Sequence, residues 1–575
     1  MTSPHPVPAH PCAGLPLLLP QPRRLALLGG ICPHSVLVAD PVVVDDDSIP
    51  PEGYRLEVLE TSVRLATSTP AGAFYAAQTL AQLRAQSTPD SPLPCLAIDD
   101  APAFPLRGVL LDVSRGRLPR PTRLKRRLEL LAHLKINHVQ LYFEHPFRFA
   151  FDPSIAGAPS ADAYTPDDLR DLDAHCRALH IDLVPCFTCF GHLGRLLSLP
   201  AYRPLAAREF PAPSWEDATW LQRLRGATLN PSHPAVPALL ESMLGEFLPC
   251  FSSSSFNLCG DETYDLPDAL PPGAPPDALG DLYAAHVRRV ASIAARHGKK
   301  VLLWGDVLHK HPSAIRALPE DATVLDWAYY PTNDFAKCRD FADAGVPFVC
   351  CPSTRGFGAL FPHACEAAEV VRAQTSAALD HGAIGILNTD WGDFGHFALP
   401  PASLHGFAHG AALAWNPTTP DPAIDAAFST LLFSTPDAAR YYRLLGSSAP
   451  AIRYASTWPF PPVHPRATLP AFPPLPDAES LSAALPAVAD ASSIASAFPE
   501  TPWLDSTDLA QLALAPRFLD FALRLALREK DLLPTLDALE KAYIPLWLEE
   551  SLPRGLLDLH HRAFAPLRAL LYPSL

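Results

Sequence analysis

A regular alternation of short apolar runs and amphipathic stretches, which begins near Leu106 and continues to about Ala414, constrains the fold of this chain most strongly. Continuous apolar runs separated by helical patterns indicate strands buried on both faces, as in a parallel sheet. Eight repeats of such a strand–helix unit predict an α/β fold with a closed (β/α)8 TIM barrel. A doubly wound open sheet is the alternative that produces the same alternation. The predicted strands are Gly108–Val113, His138–Phe143, Asp182–Phe187, Ser255–Leu258, Lys300–Trp304, Thr323–Trp327, Pro347–Cys350 and Gly385–Asn388. The predicted helices are Thr122–Leu134, Pro166–Leu179, Val236–Phe247, Leu279–His297, Asn333–Ala344, Cys365–Asp380 and Ser403–Ala414.

The two flanks of this region have different patterns. Tyr54–Val58 and Val63–Ala66 alternate apolar and polar residues as half-buried strands do, and Ala71–Gln86 has apolar residues at helical spacing. They predict a small N-terminal α/β domain. After the barrel, helical patterns dominate, interrupted by the proline-dense stretch Pro459–Pro476. The predicted organisation is a small α/β domain over 1–103, the barrel over 104–416 and a C-terminal helical region over 417–575.

Composition and charge exclude several classes of protein. Hydrophobic residues make up 48% of the 575 residues and charged ones 18%, which excludes an intrinsically disordered chain. The net charge of −15 is opposite to that of a nucleic-acid binder. No apolar stretch is long enough to span a membrane. The N-terminus lacks a basic segment followed by an apolar run, so we expect a cytoplasmic protein.

The twelve cysteines are scattered along the chain. Cys186 and Cys189 form a CxxC, but the second CxxC that a zinc ribbon needs is missing. We therefore expect buried, reduced thiols, with a metal or redox role as the alternative. The chain is expected to need no cofactor.

Polar and aromatic residues follow the predicted strands. The active site of a TIM barrel lies at the carboxyl ends of its strands, so these residues are expected to lie close together. Carboxylates accept hydrogen bonds from sugar hydroxyls, and indole rings pack on the C–H faces of a pyranose. The combination therefore indicates a carbohydrate ligand. The candidate residues are Arg115, Glu144, His192, Asp261, Glu262, Trp304, Asp306, Trp327, Tyr329, Tyr330, Trp391 and Asp393.

Asp261 and Glu262 are the strongest candidates for catalysis. Gly260 allows the backbone to turn out of its strand, so that both carboxylates can face the barrel cavity instead of opposite sides. Hydrolysis of a glycosidic bond needs a protonated acid for the leaving oxygen. Because two close carboxylates raise the pKa of one of them, the pair is expected to supply that acid near neutral pH.

At these residues the chain resembles glycoside hydrolase family 20, the β-N-acetylhexosaminidases. The segment Ile98–Arg115 (IDDAPAFPLRGVLLDVSR) is similar to that family's entry into the barrel, and Phe256–Glu262 (FNLCGDE) resembles its catalytic motif. The resemblance covers about residues 40 to 415. Segments that look closest to the hexosaminidase D-like branch are Thr188–His192, Thr228–Asn230, Cys259–Tyr264 and Leu303–Asp306.

The resemblance implies a retaining exo-β-N-acetylhexosaminidase that uses the substrate's own acetamido oxygen and forms an oxazolinium intermediate. Glu262 matches the general acid/base, and Asp261 matches the residue that orients the acetamido N–H. Arg115 matches an arginine that binds sugar hydroxyls, and His192 matches a histidine near the acid. The further residues expected to bind substrate are Glu144, Trp304, Trp327, Tyr329, Trp391 and Asp393, and the tryptophans match the wall around the acetamido methyl.

Three positions depart from the commonest family pattern. Cys259 replaces a glycine, Gly116 stands where a bulkier residue is usual, and Glu144 stands where many members carry an aspartate. The resemblance also leaves open whether Tyr329 or Tyr330 holds the acetamido carbonyl. The sequence does not decide between N-acetylglucosamine and N-acetylgalactosamine, and it leaves the oligomeric state open.

Several residues have simpler structural interpretations. Arg115 could pair with Asp112, Glu144 could be a partner of Arg115 or His192, and the tryptophans could belong to the barrel core. Asp306 and Asp393 could have structural roles.

Two other functions remain open. One is a catalytically weak sugar-binding relative with the same pocket. The other is a metal-dependent barrel hydrolase built on His145, His192, Asp306 and Asp393, although no strand has a His-x-His or His-Glu-x-x-His spacing.

Overall fold

The computed structural model describes residues 15–157, 160–457 and 473–572. A five-stranded sheet forms the N-terminal domain. Its strand order is β1-β5-β3-β4-β2, and all neighbours are antiparallel except β2 and β4. The strands are β1 (Arg24–Cys32), β2 (Val42–Asp45), β3 (Tyr54–Val58), β4 (Val63–Thr67) and β5 (Leu93–Asp100).

The period-two pattern of β3 and β4 has the expected consequence. Alternate residues of each strand are buried, and the helix Pro70–Ala85 packs on the same two strands. Thr69 caps that helix by accepting a hydrogen bond from the Gly72 amide at 3.1 Å. Trp415, from the end of the barrel, enters this domain and donates to the Asp100 carboxylate at 3.0 Å. The small domain and the barrel therefore share buried contacts.

Eight parallel strands close into a barrel in the order β10-β11-β12-β13-β6-β7-β8-β9. This confirms the predicted TIM barrel, and the open-sheet alternative is wrong because β13 pairs with β6 over six residue pairs. The strands are β6 (Leu106–Asp112), β7 (His138–Phe143), β8 (Asp182–Phe187), β9 (Ser255–Asn257), β10 (Lys300–Trp304), β11 (Thr323–Trp327), β12 (Phe348–Cys351) and β13 (Gly385–Asp390).

Helices surround the barrel as predicted, with one difference. The stretch predicted as one helix at Asn333–Ala344 is a 3-10 turn, Phe335–Cys338, followed by a single α-turn, Arg339–Asp343. The Asp334 side chain accepts a hydrogen bond from the backbone N–H of Ala336, and this contact favours a 3-10 turn at the start of the segment. The helices up to the end of the barrel are α1 (His34–Leu37), α2 (Pro70–Ala85), α3 (Pro121–His133), α4 (Pro166–Ala178), α5 (Gly194–Ser198), α6 (Trp220–Arg225), α7 (Val236–Phe247), α8 (Ala278–Arg296), α9 (Asp306–Lys310), α10 (Arg339–Asp343), α11 (Ala364–His381) and α12 (Leu404–Trp415).

The C-terminal region is helical and packs on the barrel, as predicted. Arg123 on α3 anchors it through ion pairs with Asp505 (2.5 Å), Asp508 (3.2 Å) and Glu550 (2.8 Å). Most of Pro459–Pro476 lies outside the described residues. The remaining helices are α13 (Asp421–Phe433), α14 (Ala438–Leu445), α15 (Pro450–Ser456), α16 (Ala478–Ser496), α17 (Ser506–Ala526), α18 (Leu533–Glu550), α19 (Leu556–Leu559) and α20 (Ala565–Leu571).

Three glycines bring this region against the rim of the barrel. A β-carbon on Gly116 would lie 2.5 Å from the Gly395 carbonyl oxygen, and one on Gly555 would lie 2.3 Å from the Gly116 carbonyl oxygen. Gly116 (φ +139°) and Gly555 (φ +81°) also have backbone conformations that favour glycine. The close approach explains why a small residue follows Arg115 in this chain.

The cysteines that the structure describes are all unpaired, and all except Cys365 are buried. Among the described helices, none combines the length and the apolar character that a membrane span requires.

Candidate active site

The turn after β9 places the two catalytic candidates at the barrel rim. Cys259 (φ +63°), Gly260 (φ +84°) and Glu262 (φ +46°) all have left-handed backbone conformations. Such conformations are uncommon for residues other than glycine and cluster at functional sites. At Gly260 a β-carbon would also lie 2.9 Å from the Tyr283 hydroxyl. The predicted turn at Gly260 is therefore present, and it extends over its neighbours.

His192 joins the two carboxylates. Its Nε2 lies 3.4 Å from Asp261 Oδ2 and 3.4 Å from Glu262 Oε2. The other ring nitrogen, Nδ1, donates to the Leu224 carbonyl at 3.0 Å, so a proton on Nε2 makes the ring cationic. Burial alone lowers the pKa of His192, but the two carboxylates outweigh burial and hold it well above its usual value. The site therefore favours an imidazolium between two carboxylates.

This arrangement corrects the sequence expectation for Glu262. Burial raises its pKa, but the His192 imidazolium and the Tyr264 phenol outweigh burial and lower the pKa to about 2. In the free protein Glu262 is therefore ionised, not protonated. The sequence argument counted the like charge of Asp261 and had no means of placing His192 against both groups.

Asp306, which contacts the catalytic turn, is one of several carboxyl groups of the site with a raised pKa, together with Asp112, Glu144 and Asp393. Burial, together with the charges of Asp261 and Glu262, raises the pKa of Asp306 to about 6. Its Oδ2 accepts the backbone N–H of Glu262 at 3.2 Å. Asp306 thus supports the catalytic turn through the backbone.

Arg115 lies in a buried set of acidic partners. Its Nε pairs with Glu144 at 3.0 Å and its Nη1 with Asp393 at 2.7 Å. The Asp112 carboxylate, which sequence reasoning offered as the partner, accepts the Ser114 and Arg115 amides and also forms a longer ion pair with Arg115. Its Oδ2 lies 3.9 Å from the guanidinium. Glu144 is therefore a direct partner of Arg115, in agreement with its structural interpretation.

Aromatic side chains form one wall inside the barrel mouth. The Trp304 and Trp391 rings lie 5.9 Å apart, and Trp327 stacks on Tyr329 at 5.0 Å. The Trp391 indole N–H donates to the Tyr329 hydroxyl at 2.8 Å. Trp304 is 1% exposed, so its surroundings agree with a position in the barrel core.

The two candidate tyrosines differ in their contacts. Tyr329 belongs to the aromatic wall through Trp391 and Trp327. Tyr330 lies beside Arg355, which follows β12, and the centre of its ring is 4.4 Å from the Arg355 guanidinium carbon. Tyr329 is therefore the better placed of the two to reach a ligand against the wall.

Sequence reasoning missed two residues. The Tyr142 hydroxyl donates to Glu144 at 3.0 Å and accepts from Arg115 at 3.2 Å. The available signal was its position two residues before Glu144, since such residues share one face of a strand. Tyr264, two residues after Glu262, ends the segment Cys259–Tyr264 that resembles the hexosaminidase D-like branch, but the resemblance assigned it no role.

A cavity of about 260 Å³ borders the site and is lined by Asp306 and Trp327, among others. A larger cleft of about 830 Å³ is lined by Arg195, Arg203 and Trp215, among others, but by none of the predicted site residues. The catalytic candidates therefore lie outside the larger cleft.

The residues proposed for a metal-dependent hydrolase do not assemble into a ligand set. Among the described residues, the group whose ligand atoms all lie within 4.8 Å of one another is His405, His409 and Asp425. This group joins α12 to α13, and Arg443 already binds its carboxylate at 2.6 Å. Neither histidine Nδ1 has an acceptor, whereas metal-bound histidines nearly always donate their second N–H. The geometry therefore gives no support to the metal-dependent alternative.

Comparison with known proteins identifies the family. Residues 104–357 match the model of the glycosyl hydrolase family 20 catalytic domain, and residues 22–101 match domain 2 of the same family. The chain belongs to glycosyl hydrolase family 20. Together the two matches span more than half of the chain, and they cover the N-terminal sheet and most of the barrel.

Individual family 20 relatives are distant. A beta-hexosaminidase of Akkermansia muciniphila is 28% identical over 263 residues, which cover 43% of this chain and 51% of the relative. A beta-N-acetylhexosaminidase of Cellulomonas fimi is 26% identical over 323 residues, which cover 53% of this chain and 59% of the relative. The chain thus spans about half the length of these relatives.

Solved structures agree in fold. A family 20 beta-N-acetylglucosaminidase superposes with a TM-score of 0.56 at 20% identity, covering 73% of this chain and 96% of that structure. The Flavobacterium johnsoniae chitobiase superposes with a TM-score of 0.58 at 16% identity, covering 96% of this chain and 99% of that structure. The second comparison includes the C-terminal helical region.

Proposed function

We propose that this family 20 protein is a retaining exo-β-N-acetylhexosaminidase that removes terminal N-acetylglucosamine or N-acetylgalactosamine from glycans. The contact of His192 with both Asp261 and Glu262 carries the proposal. These three residues supply two carboxylates and one exchangeable proton at the mouth of the barrel. The relatives' names support the same substrate class.

The first half-reaction uses the substrate as its own nucleophile. The acetamido carbonyl oxygen attacks the anomeric carbon while the glycosidic C–O bond breaks, and Glu262 gives a proton to the leaving oxygen. Asp261 accepts a hydrogen bond from the acetamido N–H and offsets the positive charge of the oxazolinium. In the second half-reaction, Glu262 takes a proton from the attacking water and the oxazolinium ring opens. Two inversions at one carbon retain the configuration.

The unliganded protein holds the required proton on His192 rather than on Glu262. Because Nε2 lies 3.4 Å from Glu262 Oε2, the protonation of His192 and that of Glu262 depend on each other. A sugar that displaces water from Glu262 disfavours its charged form and moves the proton toward it. The ionised Glu262 of the free protein is therefore compatible with its role as the acid.

The other groups position the sugar. The Arg115 guanidinium, fixed by Glu144 and Asp393, offers donors to ring hydroxyls, while those carboxylates accept hydrogen bonds. The aromatic wall packs against the acetamido methyl and the C–H face of the ring.

The decisive experiment compares two aryl glycosides. The protein should release 4-nitrophenol from the aryl β-N-acetylglucosaminide or galactosaminide but not from the plain β-glucoside, which lacks the acetamido group. Glu262→Gln should lower turnover by about 10²–10⁴-fold, the scale for losing a general acid/base. Glu369→Gln, an exposed carboxylate on α11, is the matched control. A Glu262→Gln protein as active as wild type would show that the acid is wrongly assigned.

The weak-binding alternative predicts a different result. In that case the protein would bind N-acetylhexosamines, detectable by calorimetry, without turnover of the aryl substrate. A thiazoline analogue of the intermediate separates the two functions, since a hydrolase should bind it far more tightly than the sugar product.

A further inference from the structure

The Asp112 carboxylate, at the end of β6, connects the loops that follow the first and the last strand of the barrel. Its Oδ1 accepts the backbone N–H groups of Ser114 at 2.9 Å and of Arg115 at 3.1 Å. Its Oδ2 accepts the backbone N–H of Gly392, which follows β13, at 3.0 Å. The side chain is fully buried, so water does not compete for these hydrogen bonds.

The two loops that Asp112 connects carry an ion pair of the site. Arg115 provides one of the bound amides, and Asp393 directly follows Gly392 in the chain. The Arg115 guanidinium pairs with the Asp393 carboxylate at 2.7 Å. Because Asp112 binds the backbone on both sides of this pair, it fixes the positions from which the two side chains extend.

Ser114 continues the network to the loop after β7. Its hydroxyl donates to the Tyr142 carbonyl at 3.0 Å and accepts the backbone N–H of Glu144 at 2.8 Å. Asp112 in turn holds Ser114 through its amide. The network therefore joins all three loops that carry the groups assigned above to the sugar hydroxyls.

Gly392 is the point at which a change in this network would reach the site. It stands between Trp391 of the aromatic wall and Asp393. A β-carbon on Gly392 would lie 2.4 Å from His396 Nδ1, so the backbone packs closely against that ring. A displacement of Gly392 would therefore move the wall and the Asp393 carboxylate together.

We propose that Asp112 is a positioning residue for sugar binding, which acts through Gly392 to set the distance between Arg115 and Asp393. The proposal rests on the function proposed above. Asp112 is not placed to contact the sugar, since it is buried and both of its oxygens accept backbone N–H groups. It holds Arg115 and Asp393 in their binding arrangement before the substrate arrives, which lowers the cost of ordering them on binding.

The test is Asp112→Asn, which keeps the shape of the side chain. The amide oxygen can still accept the Ser114 and Arg115 amides, but the NH2 group then faces the Gly392 N–H, and two donors cannot bind each other. KM for the aryl N-acetylhexosaminide should rise about 10-fold, the scale of one hydrogen bond to a charged group, with a smaller change in kcat.

Two further variants define the cause. Asp112→Glu keeps the charge beside Arg115 but displaces the carboxylate, so it should also raise KM if position rather than charge matters. Asp173→Asn is the matched control. Asp173 is likewise buried and accepts a backbone N–H, that of Ser252 at 3.0 Å, but Ser252 precedes β9 and lies at the opposite end of the barrel. This variant should keep the wild-type KM.

Substrates that each lack one sugar hydroxyl separate positioning from a general loss of stability. Where wild type loses kcat/KM on removal of a hydroxyl that Arg115 or Asp393 binds, Asp112→Asn should lose less on the same removal, because it already binds that hydroxyl poorly. A variant that is only less stable would show the wild-type penalty for every such substrate.

Hydrogen exchange tests the proposal without substrate, so its failure differs from a failure of the proposed function. In the full-length protein, mass spectrometry should show faster exchange around Gly392 in Asp112→Asn than in wild type, even if no hexosaminide is hydrolysed. In Asp173→Asn the faster exchange should lie near Ser252 instead. The proposal is overturned if Asp112→Asn and Asp112→Glu exchange like wild type around Gly392. It is also overturned if they exchange faster there but keep the KM and the hydroxyl penalties of an active wild type.

Discussion

Arg115 donates to the Asp393 carboxylate at 2.7 Å although the two residues are 278 positions apart. They follow β6 and β13, the first and last strands of the barrel, which lie side by side. Closure of the barrel therefore assembles the pair that is expected to hold the sugar hydroxyls.

Replacing Asp393 should weaken substrate binding. Asp393→Asn keeps the shape of the side chain but removes the charge that orients Arg115. Loss of a charged hydrogen-bond partner is worth about 1.5–3 kcal/mol, which corresponds to a fall in kcat/KM of about 10- to 100-fold. Steady-state kinetics should show the loss mainly in KM. Asp167→Asn, which breaks the exposed pair with Arg170, should have no effect.

Removing His192 should change the pH profile of the reaction. In wild type, the cluster keeps its proton until the pH exceeds the raised pKa of His192. In His192→Gln the proton must reside on Glu262, and it is lost at the lower pKa of a carboxyl group. The alkaline limb of kcat/KM should therefore move to lower pH. An unshifted limb would show that His192 does not hold the exchangeable proton.

The stability contribution of His192 has a defined sign. Because its pKa is raised on folding, this contribution is complete below the unfolded value of about 6.5 and is lost as pH rises through the folded value. Thermal melts of wild type and His192→Gln should consequently converge at alkaline pH.

Tyr329 and Tyr330 should respond differently to loss of the hydroxyl. Tyr329→Phe leaves the buried Trp391 N–H without an acceptor, which costs about 1–3 kcal/mol, and it removes the candidate partner of the acetamido carbonyl. We expect reduced stability and reduced kcat/KM. Tyr330→Phe keeps the ring beside Arg355 and should resemble wild type. Equal loss of activity in both variants would contradict the assignment of Tyr329.

Arg123→Ala should loosen the C-terminal helices from the barrel. It removes the nearest partner of the buried carboxylates of Asp508 and Glu550, which keep longer ion pairs with Arg127 at 3.6 and 3.8 Å. The loss should therefore be smaller than the about 3–5 kcal/mol that a buried charge without any partner typically costs. Arg123 also holds the pKa of Asp505 down, at about 2. That contribution is present above pH 4 or so and is lost as pH falls toward 2. Calorimetry should show a lower melting temperature for the variant at pH 7 and a smaller difference near pH 2.

The strand–helix alternation predicted most of the fold. All eight barrel strands were placed within a few residues because each is a continuous apolar run between turn signals. The prediction of one helix at Asn333–Ala344 was wrong. The Asp334 side chain hydrogen-bonds to the backbone and favours a 3-10 turn there, and apolar spacing does not encode such a local contact.

The candidate site was only partly predictable. Strand-end position identified Arg115, Glu144 and Asp393, but their mutual pairing depends on barrel closure. The ionisation of Glu262 could not be predicted, since it depends on His192, whose loop is positioned by α6. Tyr142 acts through a hydroxyl whose direction no sequence pattern records.

The contact between Gly116 and Gly555 has a consequence for engineering. The polypeptide that carries Arg115 rests directly on the segment after α18, backbone against backbone, with no side chain between them. An excised barrel ending after α12 would lose this support and expose the strand-one loop to solvent. Chimeras that exchange barrels among family members should therefore include the C-terminal helices. The barrel and these helices are best exchanged as one unit.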